Sequence, residues 1–114
     1  MSTVEWIADE VLTEGLDDWV LVDTLIGVAH EAVKGTGGDF RPLAAGAIEY
    51  LIRNGLMVAG DIGNTGFEPW TDPPPAMARR VIERCESFDW VPLGDACWLS
   101  NTDLGAQRAR ARQA

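Results

Sequence analysis

The sequence is poor in the residues on which most site chemistry depends. Among 114 residues it has one histidine (His30), one lysine (Lys34) and two cysteines (Cys85 and Cys97). A metal held by nitrogen or sulfur would need two or three further ligands, so no metal centre and no cofactor is expected. The cysteines form neither a CxxC pair nor a metal-ligand spacing, and both read as buried filling. His30 stands beside Glu31 on a helical pattern and reads as a half-exposed helix residue. Lys34-Gly35-Thr36-Gly37-Gly38 lacks the GxxxxGK[ST] order of a phosphate cradle and is a flexible loop. No apolar run reaches membrane-spanning length, and the first residues are acidic, so neither a membrane anchor nor a secretory leader is expected. The cytoplasm is then the default address. No catalytic constellation stands out, and the chain is read as a non-enzyme.

What the sequence does have is acid. Eighteen Asp and Glu face nine Lys and Arg, a formal net charge of −9. Residues 1–40 alone hold nine acids against Lys34. Such a surface repels phosphate and anionic lipid, which disfavours DNA and membranes as partners. Eight of the nine bases are arginine, and Arg108, Arg110 and Arg112 fall in a short Ala/Arg tail. With nothing large to bury, residues 107–114 are expected to be frayed or disordered. Residues 1–106 form the expected single domain, since 46% hydrophobic content over this length suffices for one core.

Periodicity orders the elements. Ser2 and Glu5 stand in capping-box order, and Val4, Ile7, Ala8, Val11 and Leu12 share one helical face, with Gly15 as a left-handed stop. Trp19-Val20-Leu21 is a short β-prone run. A second helix is predicted over Val22–Val33. Asp39 and Pro42 open a third, with Ala44, Ala47, Ile48, Leu51 and Ile52 inward and Asn54-Gly55 at its end. Residues 56–62 and 67–70 bracket Gly63-Asn64-Thr65-Gly66 as a hairpin. After Pro73-Pro74-Pro75 comes a fourth helix with Met77, Val81, Ile82, Cys85 and Phe88. Residues 96–99 form one more short strand. The fold class is α+β, an α-β-α-α-β-β core with an additional C-terminal helix.

This order resembles the winged helix, the helix-turn-helix variant whose hairpin is the wing. The stretch Leu43 to Ile62, with Asn54-Gly55-Leu56 between helix and strand, is similar to the junction of recognition helix and wing. Trp98 to Gly105 resembles the "LT..G" step of such proteins. Gly66-Phe67-Glu68-Pro69-Trp70 looks like the wing of small actinobacterial winged-helix-like proteins. The resemblance covers about residues 4–70 and implies a fold without transferring a function. It also implies that the third helix would read DNA. Its outward positions are Pro42, Ala45, Gly46, Glu49 and Arg53, one arginine beside a central glutamate, and the hairpin tip carries no base. A DNA-binding dimeric regulator would have to use Arg41, Arg53, Arg108, Arg110 and Arg112 as phosphate contacts. The residues argue against that reading.

The five tryptophans are the remaining signal. Trp19, Trp90 and Trp98 are assigned to the core or its lid, and Trp70 to packing near the prolines. Trp6 falls opposite the apolar stripe of the first helix, among Glu5, Asp9 and Glu10, and is expected to be exposed. The resulting expectation is a protein-binding domain with Trp6 as anchor and Asp9, Glu10, Asp17 and Asp18 as the acidic face. Its partner would be a basic protein or a second copy of the chain. One version is an immunity protein that antagonises a basic nuclease-type toxin.

Overall fold

A computed structural model describes residues 1–113. The elements run α1 (Thr3–Glu14), β1 (Val20–Leu21), α2 (Val22–Val33), α3 (Phe40–Arg53), β2 (Met57–Gly63), β3 (Gly66–Pro69), α4 (Pro74–Ser87), β4 (Trp98–Asn101) and α5 (Asp103–Gln113). The fold is α+β, with five helices and a four-stranded antiparallel sheet among the described residues. None of these helices is long and apolar enough to cross a membrane.

Local chemistry accounts for most boundaries. The Glu5 backbone N–H donates to Ser2 Oγ at 3.1 Å and the Ser2 N–H to Glu5 Oε1 at 3.4 Å, the reciprocal pair that starts α1. Asp39 caps α3 by accepting the Arg41 N–H at 3.0 Å. At the other end of α3, Gly55 takes φ 70°. Its N–H donates to the Ile52 carbonyl at 3.1 Å, and the Leu56 N–H donates to the Leu51 carbonyl at 2.9 Å. That paired arrangement reverses the chain into β2 and buries Leu56. Gly15, expected to stop α1 in a left-handed conformation, is right-handed instead, with φ −66°. The chain leaves α1 through ordinary turns, its Leu16 and Asp17 N–H groups bonding back to Thr13 and Glu14.

Two features depart from the predicted order. The short strand predicted over residues 96–99 forms two residues later, as β4, and it lies inside the sheet, whose order is β1-β4-β2-β3. Leu99 is the reason: it pairs with Val20 on one side and Ala59 on the other, and all three are buried. The tail is the second departure. Residues 103–113 form a helix docked on α1, with Gly105 and Ala109 buried, rather than a frayed end. Ala114, the last position of the predicted tail, lies outside the described residues. The small side chains let the helix axis approach closely: a Cβ at Gly105 would collide with the Leu56 carbonyl oxygen.

Buried residues from all five helices and the sheet form one cluster, with Ile7, Leu12, Leu25, Ile48, Leu51 and Leu99 among its largest members. The helices supply the cover of one sheet face, onto which Val20, Met57, Ala59 and Leu99 project. Side chains alternate along a strand, so the other face carries Leu21, Trp98, Val58, Ile62, Phe67 and Pro69.

Candidate protein-binding surface

Trp19 immediately precedes β1 and shares its outward face with Leu21. The residue is 42% exposed, although a core or lid position was expected. It stacks on Phe67 with ring centroids 6.1 Å apart and planes inclined by 28°. It also lies against Gly66, where a Cβ would come within 3.1 Å of the indole. Trp19 therefore leans across the outer face of the sheet toward the hairpin. Ile62, opposite Phe67 in the hairpin, is likewise 42% exposed. Asp17 and Asp18 stand exposed beside this ring, and Asp18 Oδ1 accepts the Trp19 backbone N–H at 2.7 Å. Asp18 thus braces the backbone that presents Trp19.

The other tryptophans do not contribute equally. Trp90 is buried. Trp98 is half-buried on the outer sheet face. Trp70 is buried. Its Nε1 donates to Asp61 Oδ2 at 2.8 Å, and the guanidinium groups of Arg80 and Arg84 lie 3.8 and 5.0 Å from its ring centroid.

The predicted anchor Trp6 requires a correction. It is half-buried and packs against the core, because α1 is flanked by α2, α3 and α5 and has little free surface. What remains open beside it is a shallow cleft with Met1, Ser2, Thr3 and Ala32. Asp9 and Glu10 require another. Asp9 is 4% exposed and accepts Arg108 Nε at 2.9 Å, and Glu10 accepts Arg112 at 2.9 Å. Arg108 also donates to the Tyr50 hydroxyl, and its hydrogen bond to Asp9 holds the guanidinium pKa above its ordinary value. Of the four acids expected to form one face, only Asp17 and Asp18 are exposed and without an ion-pair partner among the described residues.

The arginines proposed for phosphate are distributed in the same way. Arg41 makes a two-point contact with Asp39, both distances 3.0 Å, which draws the Asp39 carboxyl below its ordinary value. Arg53 pairs with Glu49 one turn earlier at 3.5 Å. Arg108 and Arg112 hold α5 to α1. Arg110 is exposed and has no carboxylate within ion-pair distance among the described residues. Gly46, predicted to face outward on α3, faces α1 instead, where a Cβ would meet Val4 at 3.0 Å.

His30 is exposed and stacks on Phe40 with centroids 3.6 Å apart. Cys85 and Cys97 are buried free thiols, and burial pushes both up to about 12. No cluster of three metal-ligating side chains occurs among the described residues. No protein-family model, curated protein or solved structure matches this chain.

Proposed function

We propose that this chain is a non-enzymatic domain that binds another protein through an acidic surface, on a winged-helix arrangement whose DNA-reading positions are out of use. The observation that carries this reading is the pairing of the arginines. Four of the five that DNA would require are joined to carboxylates of the same chain: Arg41, Arg53, Arg108 and Arg112. Releasing such a pair to meet a phosphate exposes a carboxylate at the same spot, so little attraction is gained. On α3, the helix that would enter a groove, Glu49 stands beside Arg53 and repels the backbone it would approach. The hairpin tip, Asn64-Thr65, carries no cation.

Most of the uncompensated charge is negative, and part of it, Asp17 and Asp18, lies beside the exposed Trp19. Asp17 and Asp18 supply long-range attraction for a basic protein, and Trp19 supplies a desolvated anchor of the kind that dominates protein interfaces. An antagonist of a basic nuclease is one partner relationship of this chemistry.

Affinity capture with the full chain as bait, read by mass spectrometry, tests the proposal. The expected result is retention of a basic protein that is released by salt and is not retained by the Asp17→Asn/Asp18→Asn bait. Retention of nucleic acid in place of protein would overturn it.

A further inference from the structure

Asp17, Asp18 and Trp19 border a larger apolar surface, the outer face of the sheet. That face carries Leu21, Val58, Ile62, Phe67, Pro69 and Trp98, with Trp19 leaning over it. The helices occupy the other side; Val58 also packs against the core, while Trp19 and Ile62 are each 42% exposed. Ser100 is the sole polar side chain that the strand registers place on this face, and none is charged. Monomeric proteins seldom leave a contiguous apolar surface of this kind without a use for it.

The charge around the face selects its occupant. Within three residues of any strand the sequence holds eight acids and no lysine or arginine. Asp61 and Asp72 are engaged by arginines, and Asp23 accepts the Gly94 N–H. Asp17, Asp18, Asp95 and Asp103 are exposed and have no ion-pair partner among the described residues, and Glu68, also unpaired, alternates to the opposite face. A second copy, also at −9, would bring acidic rim against acidic rim. Nucleic acid is repelled by the same rim.

We infer that the outer face of the sheet docks a basic polypeptide segment that sets aliphatic or aromatic side chains on Trp19, Phe67 and Trp98 and its lysines or arginines against Asp17 and Asp18. The inference rests on the protein-binding reading. Docking by strand addition at β3 is limited by chemistry. The Trp70 N–H bonds back to Ala59, which turns the polar groups of Phe67 and Pro69 toward the free edge, and Pro69 has no N–H to offer. The segment therefore lies over the face and is recognised by side chains.

Two synthetic peptides of alternating phenylalanine and charged residue, one with lysine and one with glutamate, serve as probes. Each is titrated into the isotope-labelled full chain, and amide and indole resonances are followed by NMR. The lysine peptide is expected to bind saturably and to shift Trp19, Phe67 and Trp98, while the glutamate peptide does not. Trp19→Ala is expected to weaken binding about tenfold or more. Asp17→Asn/Asp18→Asn should weaken it and flatten its salt dependence, whereas Glu83→Gln/Glu86→Gln on α4, the same change in net charge, should do neither.

Shifts confined to the Trp6 cleft, or equal binding of both peptides, would overturn this placement and leave the protein-binding reading standing. So would an absence of saturable lysine-peptide binding, or a wild-type dimer in sedimentation that Trp19→Ala dissociates. Duplex DNA shifting the sheet face where neither peptide does would overturn both.

Discussion

Arg108 and Asp9 lie 99 positions apart in sequence, yet Arg108 Nε sits 2.9 Å from Asp9 Oδ1 and the carboxylate is almost sealed from solvent. The pair ties the last helix to the first. Tyr50 of α3 completes it by accepting a hydrogen bond from the same guanidinium, whose carbon lies 5.2 Å from the Tyr50 ring centroid. Three helices thus meet at one arginine.

Removing that arginine leaves a buried carboxylate without its cation. Because the Arg108 side chain is itself about one-third exposed, water can enter and moderate the loss. Arg108→Met is expected to cost about 2 kcal/mol of unfolding free energy, measured by urea denaturation. Arg110→Ala should change stability by less than about 0.5 kcal/mol. Combining Arg108→Met with Asp9→Asn should cost less than the sum of the single changes, the mark of a direct pair.

Trp6, expected to be exposed, is half-buried, and Trp19, expected in the core or its lid, is exposed. Trp6 packs on the core, so Trp6→Ala should cost roughly 2 kcal/mol, less than the loss of a fully buried tryptophan. Trp19→Ala should cost about 1 kcal/mol or less, since much of the ring is already in water. Thermal melts of the two variants check the order. A larger loss for Trp19 would mean that its stacking on Phe67 holds the hairpin in place.

The loop between α4 and β4 carries backbone strain. Asp89, Trp90 and Leu93 all have positive φ, at 53°, 61° and 50°. Trp90 is held there by its buried ring and by its N–H, which donates to the Cys85 carbonyl at 2.8 Å. Leu93 is 82% exposed and has no such compensation. Leu93→Asn is expected to stabilise the fold by roughly 0.5–1 kcal/mol, because asparagine tolerates this region and little burial is lost. Denaturant unfolding reads the sign directly.

The buried thiols set a pH window. Their folded-state values are raised from 9.0 to about 12 by burial, so below pH 9 folded and unfolded chains carry the same protons on them. Above it the unfolded chain loses protons that the folded chain keeps, and their contribution to stability falls as pH rises toward 12. At pH 8 the native chain should resist iodoacetamide and the urea-unfolded chain should react at both cysteines. Rapid native labelling at Cys85 or Cys97 would contradict their burial.

The elements legible in the sequence were those with strong local signals. Ser2 and Glu5 mark the start of α1, the stripe from Val22 to Val33 marks α2, and Asn64-Thr65 between two β-prone runs marks the hairpin. What could not be read was long-range. Strand β4 is four residues long, and only pairing with both Val20 and Ala59 gives it a central place. Helix α5 has no apolar stripe, so hydrophobic periodicity passes over it. Its signal is of another kind: Gly105 and Ala109 lie one turn apart, as do Arg108 and Arg112, a small-residue seam flanked by cations that matches Asp9 and Glu10. Alternation along Trp19, Leu21 and along Val58, Gly60, Ile62 holds the outer sheet face in the same latent form. It becomes a surface only once β4 joins the two segments.

A division of charge in which four of the five arginines that DNA would need serve the chain itself leaves an acidic, aromatic surface for a protein. Its most direct test is the affinity for random duplex DNA measured as salt is raised. At about physiological salt, binding no tighter than the weak non-specific range of roughly 10⁻⁴–10⁻⁶ M is expected, with no change on Arg53→Ala or Arg110→Ala. Tight, salt-sensitive binding that either substitution abolishes would contradict it.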